Sequence, residues 1–140
     1  MLDDNLKKFV ADNRRGVLTT FRRDSSAQMS IITCGPLQDG VAFTTTEDRA
    51  KLKNLRRNPR CTLLVARENW SAYIVLQGSA QLLSADNTDA DELRLALRDV
   101  FRTAAATEHP DWDEYDRAMA EQRRSAIIVV PDHIYGGNVS

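Results

Sequence analysis

Cysteine is scarce in this chain: Cys34 and Cys61 are the only two among 140 residues, and they form no C-x-x-C pair. That excludes a disulfide scaffold and reads both thiols as small buried apolar groups. The two histidines, His109 and His133, lie far apart with no neighbouring ligand pattern, so no metal site is expected. Six glycines and four prolines are too few for a disordered chain. No broad excess of positive charge exists, the formal net charge being -1. A protein built to coat DNA or an anionic membrane is thereby disfavoured. No apolar run approaches the roughly 20 residues needed to cross a bilayer. The opening "MLDDNLKKFV" lacks the apolar segment of a secretory signal. These absences lead us to expect a cytoplasmic protein with reduced thiols, touching neither membrane nor nucleic acid. Catalytic signatures are missing too: there is no G-x-S-x-G elbow, no Walker-type loop and no G-x-G-x-x-G. A protein without such groups that is nonetheless catalytic takes its chemistry from a cofactor.

What is present reads as one domain over residues 1–140. Leu2, Leu6, Phe9 and Val10 recur at helical spacing, which predicts a short opening helix. "GVLTTF", "QMSIITC" and "VAFTT" are rich in β-formers. Asp39-Gly40 between apolar runs is a hairpin signal. "CTLLVA" and "SAYIVLQGSAQLLS" predict further strands, with Gly78 at a bulge or a close backbone approach. Helical periodicity returns at Leu93, Leu97, Val100, Phe101 and Ala104, and again at Trp112, Tyr115 and Met119 after Pro110. "AIIVVPDHIYG" reads as a strand, a proline break and a short final β-piece. Six or seven strands, three or four helices and short hairpin connections favour a mainly β, antiparallel closed or split barrel with peripheral helices.

One segment concentrates the positive charge. "TTTEDRAKLKNLRRNPR", residues 44–60, holds Arg49, Lys51, Lys53, Arg56, Arg57 and Arg60. Thr45 with Asp48, or Thr44 with Glu47, matches a capping box, and Pro59 stops the helix at Asn58. Arg49 and Lys51 then fall in the first turn, where cations disfavour the helix by roughly 0.3–1 kcal/mol each. The free N–H groups at that end suit an anion, and a charge-assisted bond to phosphate returns roughly 1.5–3 kcal/mol. From spacing alone, Arg49 and Lys51 fit an anion site or a solvated helix face. Arg56 and Arg57 suit the helix C-terminus and need no ligand.

Taken together, "GVLTTFRRDSSAQMS", "TTTEDRAKLKNLRRNPR", "VLQGSAQLL" and the tail "HPDWDEYDRAMAEQRRSAIIVVPDHIYG" resemble the pyridoxamine 5'-phosphate oxidase-like superfamily, in particular its deazaflavin-dependent branch. The R-x-K-x-x-N-L pattern at Arg49, Lys51, Asn54 and Leu55 carries much of the resemblance. Where relatives have Gly-Arg-Pro before the second strand, this chain has Ser25, Ser26 and Ala27. The resemblance implies a six-stranded antiparallel split β-barrel of the FMN-binding, Greek-key type. It implies a homodimer with cofactor sites at the subunit interface, and coenzyme F-420 as cofactor with FMN as the alternative. Arg49, Lys51 and Asn54, with Thr44, Thr45 and Thr46, would hold phosphate or an acidic tail. Met29, Ser30 and Ile31 would face the ring system, and Trp70 would close the site from the partner subunit or pack as a rim aromatic. The implied activity is hydride transfer between reduced deazaflavin and a small conjugated organic substrate, with no catalytic side chain identified. An FMN-binding oxidase or reductase and a non-catalytic flavin or deazaflavin carrier are the alternatives.

Overall fold

Helix α1 (Asp4–Asp12) opens the chain, with Asp3 capping it through Oδ1, which accepts from the Leu6 N–H at 2.9 Å. The structure, a computed structural model, describes residues 2–137. Strands β1 (Arg15–Phe21), β2 (Ala27–Thr33), β3 (Gly35–Leu37) and β4 (Gly40–Thr46) follow, then helix α2 (Ala50–Arg57). Strands β5 (Arg60–Ala66) and β6 (Tyr73–Leu83) lead into helices α3 (Ala90–Ala105) and α4 (Trp112–Glu121), and β7 (Arg124–Gly137) closes the fold.

The strands form one antiparallel sheet in the order β2-β1-β5-β6-β7-β4-β3, curled into the half-barrel of a split-barrel fold. The seventh strand beyond the expected six is the three-residue β3, added at the edge by the β3–β4 hairpin.

β4 and β7 are covered on both faces, which is why their sequences are apolar runs rather than alternations. Val41, Phe43, Ile127 and Val129 join the barrel core with Leu18, Leu63 and Leu76, closed by Phe9 and Val10 of α1 and Leu52 and Leu55 of α2. The intervening Ala42, Ala126 and Ile128 pack on the other side against Leu97, Val100 and Tyr115. The α3–α4 pair is thereby fixed over the β4–β7 ladder. Arg98 of α3 forks onto Asp116 of α4, its Nε donating to Oδ1 at 2.9 Å, and lies 5.2 Å from the centre of the Trp112 ring.

Two local expectations are corrected. The capping box does not form: Thr44, Thr45 and Thr46 remain in β4, paired opposite Ala126, Ser125 and Arg124. Helix α2 therefore starts later and spans eight residues, with Arg49 as an N-cap that makes no side-chain capping bond. Asp48 instead accepts from Thr46 Oγ1 at 2.7 Å. Strand pairing outcompetes the local helix signal here, because six ladder pairs outweigh one cap.

The proline break is also absent. β7 runs unbroken through Pro131, beside the register irregularity at Gln77/Gly78. β4 pairing ends at Val129, and a bulge tolerates a residue with no N–H to donate. At Gly78 a Cβ would come within 2.0 Å of the Val130 carbonyl oxygen, so both suggestions for this glycine, bulge and close approach, hold. The hairpin at Asp39-Gly40 forms too, but the left-handed residue is Gln38 (φ 52°). Gly40 is needed because a Cβ there would meet the Val129 carbonyl oxygen at 2.0 Å.

Candidate functional site

A cleft of about 780 Å³ opens where the end of β4 meets the start of α2. One wall is mostly polar. Thr44, Thr45 and Thr46 come from β4, Arg49 and Lys51 from the start of α2, and Arg124 from the start of β7, with the apolar Ile31 of β2 at its edge. The other wall is the α3–α4 pair, with Val100, Phe101, His109, Tyr115 and Met119.

Each cation is set there by its element. Arg49 ends the Thr46–Arg49 turn, its N–H donating to the Thr46 carbonyl at 3.2 Å. Lys51 lies on the half-buried side of α2 because Leu52 and Leu55 occupy the core. Burial first, and then the charges of Arg49 and Arg124, push the Lys51 ammonium below its ordinary value. Arg124 stands opposite Thr46 on the ladder and reaches diagonally to donate Nη1–H to Thr44 Oγ1 at 3.0 Å. Its Nε donates to Gln122 Oε1 at 2.7 Å.

Thr45 is 2% exposed, and its Oγ1 is the buried side-chain polar atom without a hydrogen-bond partner among the described residues. Strand alternation puts that hydroxyl on the barrel-core face with Val41 and Phe43, away from the face where Arg124 meets Thr44. An unpaired buried hydroxyl costs about 1–3 kcal/mol. Three cations lining one cleft, one of them a lysine with a depressed pKa, fit a ligand bearing phosphate or carboxylate groups.

The remaining expected site residues lie elsewhere. Asn54 is buried on the far side of α2, and its Nδ2 donates to Thr20 Oγ1 at 3.1 Å and to Gln28 Oε1 at 2.7 Å. Its Oδ1 accepts from Arg57 Nη2 at 3.0 Å, so both amide hydrogens are spent within the scaffold and the side chain clamps α2 to β1 and β2. Met29 is exposed on edge strand β2, and Ser30 pairs opposite Leu18; neither lines the cleft. Trp70 is 75% exposed and borders a separate depression with Arg14, Arg15, Arg67 and Ile31. Arg56 forks onto Glu47, and Arg57 donates to the Phe21 carbonyl at 2.8 Å, so both serve the scaffold.

Sequence reasoning missed Arg124 and the whole α3–α4 wall. Arg124 is 80 residues from Thr44, and "QRRSAII" gives no local sign that its second arginine faces a cleft. Among the described residues, no group of three or more His, Cys, Asp or Glu could hold a metal ion, and no helix is long and apolar enough to cross a membrane.

Comparison with known proteins places this geometry in context. The family model for pyridoxamine 5'-phosphate oxidase matches residues 2–136. Among solved structures, the conserved hypothetical protein Rv2991 from Mycobacterium tuberculosis superposes with a TM-score of 0.79 at 17% identity, over 99% of this chain and 86% of that one. An F420 reductase superposes with a TM-score of 0.63 at 19% identity, over 92% and 94% of the two chains. HutZ, the heme storage protein from Vibrio cholerae, gives 0.68 at 13% identity, over 96% and 93%. At these identities the likeness to solved structures speaks for the fold alone.

Proposed function

Because the chain belongs to the pyridoxamine 5'-phosphate oxidase family, we propose that its cleft binds coenzyme F-420 and that the protein is a deazaflavin-dependent oxidoreductase. The observation that carries this reading is the gathering of Arg49 and Lys51, from the start of α2, and Arg124, from the start of β7, on one cleft. Thr46 and Arg49 also border a second, shallower depression, where Lys53, Arg56 and Arg123 are balanced by Glu47, Asp48 and Glu121. Three cations within the main cleft favour a ligand with several anionic groups over one with a single phosphate, which is why the deazaflavin is preferred to FMN.

The bound deazaflavin would supply hydride transfer to or from a small conjugated organic substrate. The chain's own residues bind, orient and exclude water. Lys51 and Arg124 hold the anionic groups from the β4 side, and Val100, Phe101 and Met119 of the α3–α4 wall cover the opposite side.

The reading includes a homodimer. Cross-strand register aligns Ile31, Val17, Leu64, Val75 and Tyr135 in one row across five strands, on the side away from the barrel core. Ile31 is 73% exposed and lines both the cleft and the Trp70 depression. A second copy covering this row would therefore reach the cleft rim. Light scattering should give twice the chain mass for the wild type and the single mass for Ile31→Glu; a monomeric wild type would remove the dimer.

The deciding experiment is a side-by-side titration of coenzyme F-420 and FMN into wild type and Lys51→Ala. Tight deazaflavin binding that Lys51→Ala weakens supports the proposal. Tight FMN binding with no response to the deazaflavin overturns it.

A further inference from the structure

The α3–α4 wall of the cleft holds a polar atom that the cofactor reading leaves without a role. His109 is half-buried and wedged among aromatic rings, with centroids 5.0 Å from Phe101, 5.3 Å from Tyr115 and 5.7 Å from Trp112. Its Nδ1 accepts the Asp111 backbone N–H at 3.0 Å. That bond assigns the tautomer: Nδ1 presents its lone pair, so the neutral ring carries its proton on Nε2. Nε2–H has no partner among the described residues, while the ring lines the cleft.

The neighbouring groups cannot substitute for it. The Tyr115 hydroxyl is committed to the Leu97 carbonyl at 2.7 Å. Val100, Phe101, Ala104 and Met119 are apolar, and the Glu114 carboxylate offers an acceptor. The wall is therefore an apolar surface edged by the Glu114 carboxylate, with one fixed donor, across the cleft from the cations.

We propose that this wall is the acceptor subsite, taking a flat apolar ring that bears a hydrogen-bond-accepting oxygen, and that His109 Nε2–H is the specificity residue that binds this oxygen. The assignment rests on the cofactor reading above and names the substrate class for the same cleft. A donor held in place at a conjugated oxygen strengthens its bond as negative charge gathers there, without reorganisation at the moment of transfer. Packing by three rings on one side and the Asp111 N–H on the other supplies that fixity.

The test uses the cofactor-free chain with 1,4-naphthoquinone and naphthalene as probes, so it is independent of cofactor binding. Long-range proton–nitrogen spectra of the two histidine rings should show His109 protonated at Nε2, and the quinone but not naphthalene should shift that nitrogen. Dissociation constants come from the Trp112 indole N–H signal. Wild type should prefer the quinone by on the order of tenfold, one hydrogen bond. His109→Phe keeps a ring in the aromatic cluster; it should erase the preference while leaving naphthalene binding unchanged. His109→Gln, whose Nε2 restores a donor at similar reach, should recover it. A proton on Nδ1, or an undiminished quinone preference in His109→Phe, would overturn the proposal. Failure to bind either probe in the wild type would overturn it as well. If instead Lys51→Ala leaves F-420 affinity unchanged while the probes behave as described, the cofactor reading fails and the subsite stands.

Discussion

Arg124 donates Nη1–H to Thr44 Oγ1 at 3.0 Å, joining the first residue of β7 to a threonine of β4 and holding a guanidinium at the cleft. Anion binding should therefore depend more on Arg124 than on Thr44. Arg124→Gln is expected to weaken affinity for phosphate or the deazaflavin by about one to two powers of ten, a charge-assisted bond's worth. Thr44→Val, which removes only the support, should cost less. Calorimetric titration of the two variants checks the order.

Lys51 sets a pH dependence. Its protonated form attracts the anion, and burial together with Arg49 and Arg124 depresses its pKa from 10.5. Affinity should be full while Lys51 is charged and fall as pH rises through this lowered range, earlier than an ordinary lysine would allow. In Lys51→Arg the alkaline decline should disappear, because arginine stays charged. An identical decline in both proteins would assign it to another group.

Thr45→Val replaces the orphaned hydroxyl by a methyl of nearly the same shape. Without ligand, the variant should be as stable as wild type or more so by about 1 kcal/mol, because no hydrogen bond is lost and a buried unpaired atom is removed. The stabilisation that added phosphate or cofactor confers should stay as in wild type, because Thr45 points to the barrel core while Thr44 and Arg124 share the other face. Melting curves with and without ligand measure both effects.

Asn54→Leu should act on the scaffold. It deprives Thr20, Gln28 and Arg57 of their partner, and a loss of about 1–3 kcal/mol is expected in urea denaturation. Once folded, the variant should bind the anion nearly as wild type does, whereas Lys51→Ala should show the reverse pattern.

Alkaline pH should unfold the protein through its buried acids. Burial pushes the Cys34 and Cys61 thiols from 9.0 up to about 12 and the Tyr115 phenol from 10.0 up to about 12. Between the ordinary and the raised values the unfolded chain has released protons that the folded one retains, so stability falls as pH rises. Each fully ionising group contributes a slope of about 1.4 kcal/mol per pH unit. Denaturation at about pH 8 and about pH 10.5 should show the loss, and Cys34→Ala/Cys61→Ala should flatten it even if its absolute stability is lower.

The element pattern was largely legible in the chain because it rests on local rules. Side-chain period separated strands from helices, Gly78 marked the bulge, and Pro59 ended α2. Local rules failed where two of them competed. The threonines of residues 44–46 could cap a helix or extend a strand, and only the presence of β7 alongside decides for the strand. Pro131 could break a strand or sit at its bulge, and only the register of β6 decides that.

The same division runs through the candidate site. The sequence alone determined a mainly β chain with a basic segment at Arg49 and Lys51, since composition, period and charge run are properties of neighbouring residues. Tertiary structure decided which charges share a cleft. Folding drew Asn54 inward to hold α2, left Met29 and Trp70 exposed and away from the cleft, and brought Arg124 and His109 in from distant segments. The physical reason is that a binding site is made of distances in space, which hydrogen-bond registry and core packing set between residues with no contact along the chain.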